Sequence, residues 1–232
     1  MLLSKKQGEN ENKKNMKVKV IQKLISVARF ERYLIAAEKD GQRAIRLYKA
    51  NLRIAQAFHP ILGLFEIILR NCLNEALKKH FKDPDWTINQ KHLLTHVMVK
   101  GIIDVEKRLK AKGGLVTNSK VIADQNFSFW TQQLEKQAFK KLRGSPIHAF
   151  KNLPKTMNRS DISTRLNEIR VFRNRINHNE PICFKADRIN FSEIEKIHGL
   201  IHEVLDWLDH DAKKMVCEVD TVKDEIAKAK RI

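Results

Sequence analysis

Long stretches of this chain run without a glycine or a proline, and no other feature constrains its fold as much. Eight glycines and five prolines punctuate 232 residues. Many short strands would need more turn residues than that, so the sparse breakers favour helices. Apolar residues recur to match. Ile162, Leu166, Ile169, Phe172 and Ile176 follow one another at spacings of four, three, three and four, which is one face of an α-helix.

The same period predicts the other elements. A first helix runs from near Val18 through Ala37, with Ile21, Leu24, Ile25, Ala28, Phe30 and Tyr33 on its stripe and Gly41 as its C-cap. A second begins near Arg43, with Leu47, Leu52, Ala55 and Phe58 buried, and Pro60 is expected to kink or break it. Past Pro60, Ile61, Phe65, Leu69, Leu73 and Leu77 belong to a face broad enough for a central helix, closed by Asp83-Pro84-Asp85. Residues 88 to 111 form another helix, striped by Leu93, Leu94, Val97, Ile102, Val105 and Leu109 and stopped by Gly113-Gly114. Residues 115 to 157 are less regular. The helix over 160–179 is capped by Ser160 or Asp161 and ends before Pro181. A last one opens at Ser192, with Glu195 completing a capping box. Met215, Val219, Val222 and Ile226 continue at helical spacing. The fold class is all-α. Residues 1–15 read as a flexible basic arm, 16–210 as one helical domain, and 211–232 as a C-terminal amphipathic helix or tail.

Composition narrows the function. A hydrophobic fraction of 42% with 31% charged residues fits neither a disordered chain nor a membrane protein. Lys and Arg number 45 against 27 Asp and Glu, for a net charge of +18. Such charge bears on partners rather than fold: a polyanion such as RNA or DNA is the simplest one, an anionic membrane surface or an acidic protein would also fit, and a merely solvated surface is the plainer reading. Cys72, Cys183 and Cys217 stand apart with no CxxC pair, which argues for a reducing compartment and against a zinc site. The first residues lack the apolar core of a signal peptide, and no stretch approaches the roughly 18 apolar residues of a membrane span. A cytoplasmic protein without membrane association is expected.

The chemistry concentrates near the end of the 160–179 helix. At about 100° per residue, Arg173, Asn177, Arg170, Asn174 and His178 fan out beside the apolar stripe. Metal-free RNA cleavage needs an imidazole to move a proton and a fixed cation for the charge that builds on phosphorus. Arg173 and His178 supply these, and Asn174 adds a polar amide to orient one of them. The plainer reading is an ordinary helix end, where histidine interacts with the macrodipole and Arg and Asn face solvent.

The stretch Val171-Phe-Arg-Asn-Arg-Ile-Asn-His-Asn-Glu-Pro-Ile182 resembles the signature of the Abi-like (abortive infection) proteins of the HEPN superfamily. Their mark is an arginine, four to six residues, then a histidine, and here four residues separate Arg173 from His178. Glu31-Arg-Tyr-Leu34, the Leu47-Tyr48 pair with Asn51, Glu66-Ile-Ile-Leu-Arg-Asn71 and Phe127-Ser-Phe-Trp130 are also similar to the family pattern and stand in its order. Members often carry a second histidine where this chain has Asn179.

The resemblance implies an antiparallel helical bundle of HEPN type with extra N- and C-terminal helices. It implies a metal-independent endoribonuclease, a toxin or phage-defence effector, whose Arg-x4-His motifs meet across a homodimer. Arg173, His178 and Asn174 would be catalytic. Arg170, Arg175 and Asn177 would bind substrate. Glu66, Arg70 and Asn71 would support the site from behind or, as an i, i+4 pair of Glu66 with Arg70, brace the bundle. No cofactor or metal is implied, while an antitoxin or inhibitor is a natural partner.

Two other readings stay open. One is a non-catalytic RNA-binding HEPN module. The other is a helix 160–179 that serves mainly as a dimer interface. The pairs His92/His96 and His198/His202 lack an evident acidic third ligand. Trp130 with Lys136, Lys140, Lys141 and Arg143 reads either as an RNA-stacking patch or as a core residue beside a solvated face.

Overall fold

The computed structural model describes residues 18–186 and 188–232. The expected N-terminal arm lies outside these residues. Helix takes 74% and strand 2%, so the class is all-α.

In chain order the helices are α1 (Val27–Ala36), α2 (Gly41–Phe81), α3 (Trp86–Asn89), α4 (His96–Ala111), α5 (Asn118–Ala123), α6 (Phe127–Thr131), α7 (Lys136–Lys141), α8 (Arg159–Asn177), α9 (Ser192–Leu208), α10 (His210–Cys217) and α11 (Val222–Ala229). Residues 18–25 are helical as well. A two-residue antiparallel hairpin, β1 (Phe184–Lys185) with β2 (Arg188–Ile189), pairs Phe184 with Ile189.

Contacts divide the chain into two units. The first comprises Met1–His59, Arg175–Lys196 and Asp220–Ile232, and the second Pro60–Asn174 and Ile197–Val219. In the first, Phe30, Tyr33, Ile54, Phe58, Ile176, Ile182, Ile194 and Val222 are buried. In the second, Phe65, Leu69, Leu73, Trp86, Ile102, Trp130, Leu166, Ile169 and Leu205 are buried. Part of the second unit is set by buried amides: the Trp86 indole donates to the Asn74 side chain at 2.9 Å, and Asn118 donates to the Pro84 carbonyl at 2.7 Å.

Several expected boundaries moved, each for a local reason. The first helix breaks at Ser26, whose φ is 78° and whose hydroxyl accepts from the Arg29 amide to start α1. The break resets the helical phase, so Leu24 and Ala28 face solvent instead of the core. Gly41 is not a C-cap but the first residue of α2, because Glu38 and Lys39 take the left-handed conformations that end α1. Pro60 neither ends nor interrupts α2. Pro60 and Gln56 lie on the exposed face, so the carbonyl that loses its partner is hydrated, while Phe58, Ile61 and Phe65 on the other face are buried. Leu52 is exposed on that same wet side.

The helix expected over 88–111 is three pieces, since Leu94 is extended and Thr95 starts α4 afresh with its hydroxyl on the Met98 amide. His92 and His96 therefore lie on different elements, and Val97 and Leu93 are exposed. Gly113 (φ 69°) closes α4 as expected. The tail forms two helices, α10 in the second unit and α11 in the first, where Lys230 pairs with Glu195 at 2.7 Å.

Among the described residues one helix, α2, is long and apolar enough to cross a membrane by length and composition, where the sequence reading expected none. Of its apolar window 44% is buried inside the protein, and its buried residues belong to both units.

Candidate functional site

Helix α8 carries the motif, and its N-cap is neither Ser160 nor Asp161, although Asp161 takes part in the cap. Asn158 is the N-cap: its side chain accepts from the Ser160 amide at 2.7 Å, and Asp161 accepts from the Asn158 amide at 2.8 Å. That is a reciprocal capping box with Asn and Asp in the usual Ser and Glu places. The predicted stripe is fully buried, from Ile162 through Leu166, Ile169 and Phe172 to Ile176. Helix α9 likewise opens on a different cap, since the Asn190 side chain accepts from the Ser192 amide at 2.9 Å.

In the second unit, Arg173 is fixed from two sides. Its Nη2 donates to Glu66 Oε2 at 2.7 Å. Its Cζ lies 5.6 Å from the centre of the Phe127 ring, within cation–π range. The side chains keep 29% exposure for Arg173 and 19% for Glu66, so the guanidinium is held yet still reachable from solvent. Phe127 in turn packs on Phe65, with ring centres 6.0 Å apart. Glu66 therefore pairs with Arg173 and not with Arg70, which donates instead to the Ala123 carbonyl at 3.3 Å. The reason is reach: Glu66 faces Arg173 on α8, and Arg70, one turn on, faces α5. Asn71 is exposed and lines a separate cavity with Lys79 and Arg143. Arg170 turns back to Asn167 at 2.6 Å, and Asn174 is exposed.

In the first unit, α8 ends in a tight closure. The Glu180 amide donates to the Arg175 carbonyl and the Asn179 amide to the Ile176 carbonyl, each at 2.9 Å. This is a Schellman motif in which Asn179 takes the left-handed position with φ 51°. His178 is the half-helical residue before it, and its imidazole is exposed, as is Asn177. Arg175 is committed to protein partners: Glu193 at 2.6 Å, the Pro181 carbonyl at 3.0 Å and Glu180 at 3.3 Å. It braces the segment after α8, which competes with the phosphate contact expected of it.

The segment 180–186 is gripped by residues whose part the sequence reading did not assign. Asn51 is 1% exposed. Its oxygen accepts from the Ile182 amide at 2.8 Å and the Cys183 amide at 3.3 Å, and its nitrogen donates to the Glu180 carbonyl at 3.4 Å. Tyr33 packs edge-on against Phe184 at 5.1 Å and Tyr48 at 5.3 Å. Arg32 stacks over Phe184 and donates to the Ala186 carbonyl at 2.5 Å. A mid-helix Asn among apolar neighbours was the available signal, since such a residue must find partners when buried. Burial pushes the Cys183 thiol up to about 12.

Trp130 is buried while Lys136, Lys140 and Lys141 are exposed, so the stacking patch is a core residue beside a solvated face. His198 and His202 face each other with ring nitrogens 3.2 Å apart.

No family model matches this chain, and no curated protein or solved structure matches it either.

Proposed function

We propose that this chain is an Abi-like protein of the HEPN superfamily and a metal-independent endoribonuclease, a toxin or phage-defence effector working as a homodimer. The observation that carries the reading is convergence. The sequence pieces that resemble the family lie far apart in the chain, yet each lands on the motif helix or on the segment that follows it. Glu66 and Phe127 meet Arg173. Arg32 and Tyr33 meet the segment after His178 at Ala186 and Phe184, Asn51 accepts from its Ile182 amide, and Tyr48 packs on Tyr33 behind them. Accidental matches have no reason to be linked in this way.

In this reading Arg173 stabilises the charge on a phosphorane-like transition state. Glu66 fixes its orientation through a single oxygen, which leaves the other guanidinium donors for phosphate. His178 takes the proton of the 2'-hydroxyl or gives one to the departing 5'-oxygen. Asn174 orients substrate or the imidazole. The 2'-oxygen bonds to phosphorus as the bond to the 5'-oxygen breaks, giving a 2',3'-cyclic phosphate and a 5'-hydroxyl.

The Glu66–Arg173 pair also favours a second reading. A guanidinium already matched by a carboxylate is partly neutralised, which suits a module that binds RNA through its +18 charge without cleaving it. Cleavage of labelled single-stranded and transfer RNA in EDTA separates the two. Wild type cutting while His178→Ala and Arg173→Ala do not supports the ribonuclease. Salt-dependent binding with no cutting by any of the three moves the chain to the binding module, and equal cutting by all three points away from this motif.

A further inference from the structure

Within the second unit, α9 buries Ile197, Ile201, Val204, Leu205 and Leu208. His198 and His202 lie beside that stripe, one helical turn apart. His198 is buried and His202 half-buried. Ring nitrogens taken out of water need partners. Here the two rings bring Nε2 to Nε2 at 3.2 Å.

The ring centres stand only 4.6 Å apart, with the planes 63° from each other. A head-on N–H···N bond would set the centres farther apart by nearly both ring radii. A direct hydrogen bond between these rings is therefore bent and weak. The nitrogen separation instead matches one edge of a tetrahedral metal site. That edge is about 3.3–3.4 Å when each nitrogen lies about 2.0–2.1 Å from the ion. Tilted rings suit two lone pairs that share one point to the side. The far edge of His202 agrees. Its Nδ1 lies 3.8 Å from Cys217 Sγ, at the end of α10, within reach of a weak hydrogen bond. An imidazole that donates from Nδ1 keeps its lone pair on Nε2, the nitrogen that faces His198. Metal-bound histidines are oriented by a partner on the other ring nitrogen in the same way.

We propose that His198 and His202 hold one zinc-class transition-metal ion through their Nε2 atoms, with Cys217 Sγ accepting from the Nδ1–H of His202. Imidazole nitrogen selects zinc, copper and nickel over magnesium and calcium, which take oxygen ligands. Sparse cysteines argued against a zinc site, but this one rests on imidazole. Water takes the positions that protein ligands leave open. Spacing alone would not single out this pair. His92 and His96 share it, yet they lie on different elements, whereas α9 carries both of its histidines on one helix. The ribonuclease reading needs no metal, so this site stands apart from it.

The test is calorimetric titration of the full chain with zinc chloride, after EDTA treatment and removal of the chelator. One ion binds per chain with a Kd below about 100 μM, and magnesium does not compete. His198→Gln and His202→Gln each weaken zinc binding by at least about tenfold. His210→Gln, an exposed histidine paired with Asp206, leaves it unchanged. In EDTA all three variants melt with wild type. Added zinc raises the melting temperature of wild type and His210→Gln, but of neither α9 variant. Cobalt(II) in place of zinc gives the intense visible absorption of a tetrahedral site. A sulfur-to-cobalt charge-transfer band would put Cys217 on the metal and overturn its place behind His202. No zinc binding at about 100 μM, binding by both α9 variants equal to wild type, or equal loss in all three variants overturns the site. The RNA cleavage assay runs in EDTA and is read separately from each of these outcomes.

Discussion

Removing the Asn51 side chain is the sharpest test of how the motif is held. Asn51→Ala strips the acceptor from two buried backbone amides, those of Ile182 and Cys183, and the donor from the Glu180 carbonyl. A buried polar group left without a partner costs about 1–3 kcal/mol. The Ile182 bond at 2.8 Å carries most of that, and the contacts at 3.3 and 3.4 Å add fractions. The expected loss is about 3 kcal/mol, or about 6–12 °C in melting temperature for a chain of this length. Ile182 and Cys183 amides also lose protection in hydrogen–deuterium exchange, ahead of the amides in the middle of α2. A melting point within about 2 °C of wild type, with Ile182 still protected, would refute the clamp.

Two further outcomes follow from neighbouring features. A double-mutant cycle of Glu66→Gln and Arg173→Gln, read by urea denaturation, gives a coupling of about 1 kcal/mol for this part-buried pair, and strict additivity would remove it from the account. The folded Cys183 thiol, up at about 12 against an ordinary 9.0, holds its proton more tightly than the unfolded one. Its contribution is therefore complete below about pH 9 and is lost as pH rises from there, at up to about 1.4 kcal/mol per unit. Cys183→Ala flattens that alkaline slope, and in native wild type iodoacetamide modifies the exposed Cys217 long before Cys183; equal labelling of the two would count against the burial argument.

Much of the fold was legible because helical period is a local property. The α8 stripe was read residue by residue, and all five members are buried. Turns were harder. Ser26, Glu38, Lys39 and Asn179 adopt left-handed conformations without glycine, and nothing in their identity demands it. Pro60 shows tertiary burial overriding a local rule, since one dry face keeps α2 intact. At the site, spacing along one helix placed Arg173 and His178 correctly on α8 and at its end. It did not find that Glu66 reaches Arg173, because that contact joins residues 107 apart. An i, i+4 pairing with Arg70 was the nearest partner in sequence but not in space.

Asn179 has a consequence for how this stretch tolerates change. Its side chain is exposed, so by exposure alone almost any residue would serve. The backbone at φ 51° says otherwise. Glycine, asparagine, aspartate and histidine enter that conformation readily, whereas β-branched residues do not. Substitutions here are filtered by backbone shape, not by the chemistry of the side chain. Across a set of related chains the position would show a narrow alphabet right beside His178. That narrowness would look like selection for catalysis while recording only the way a helix ends.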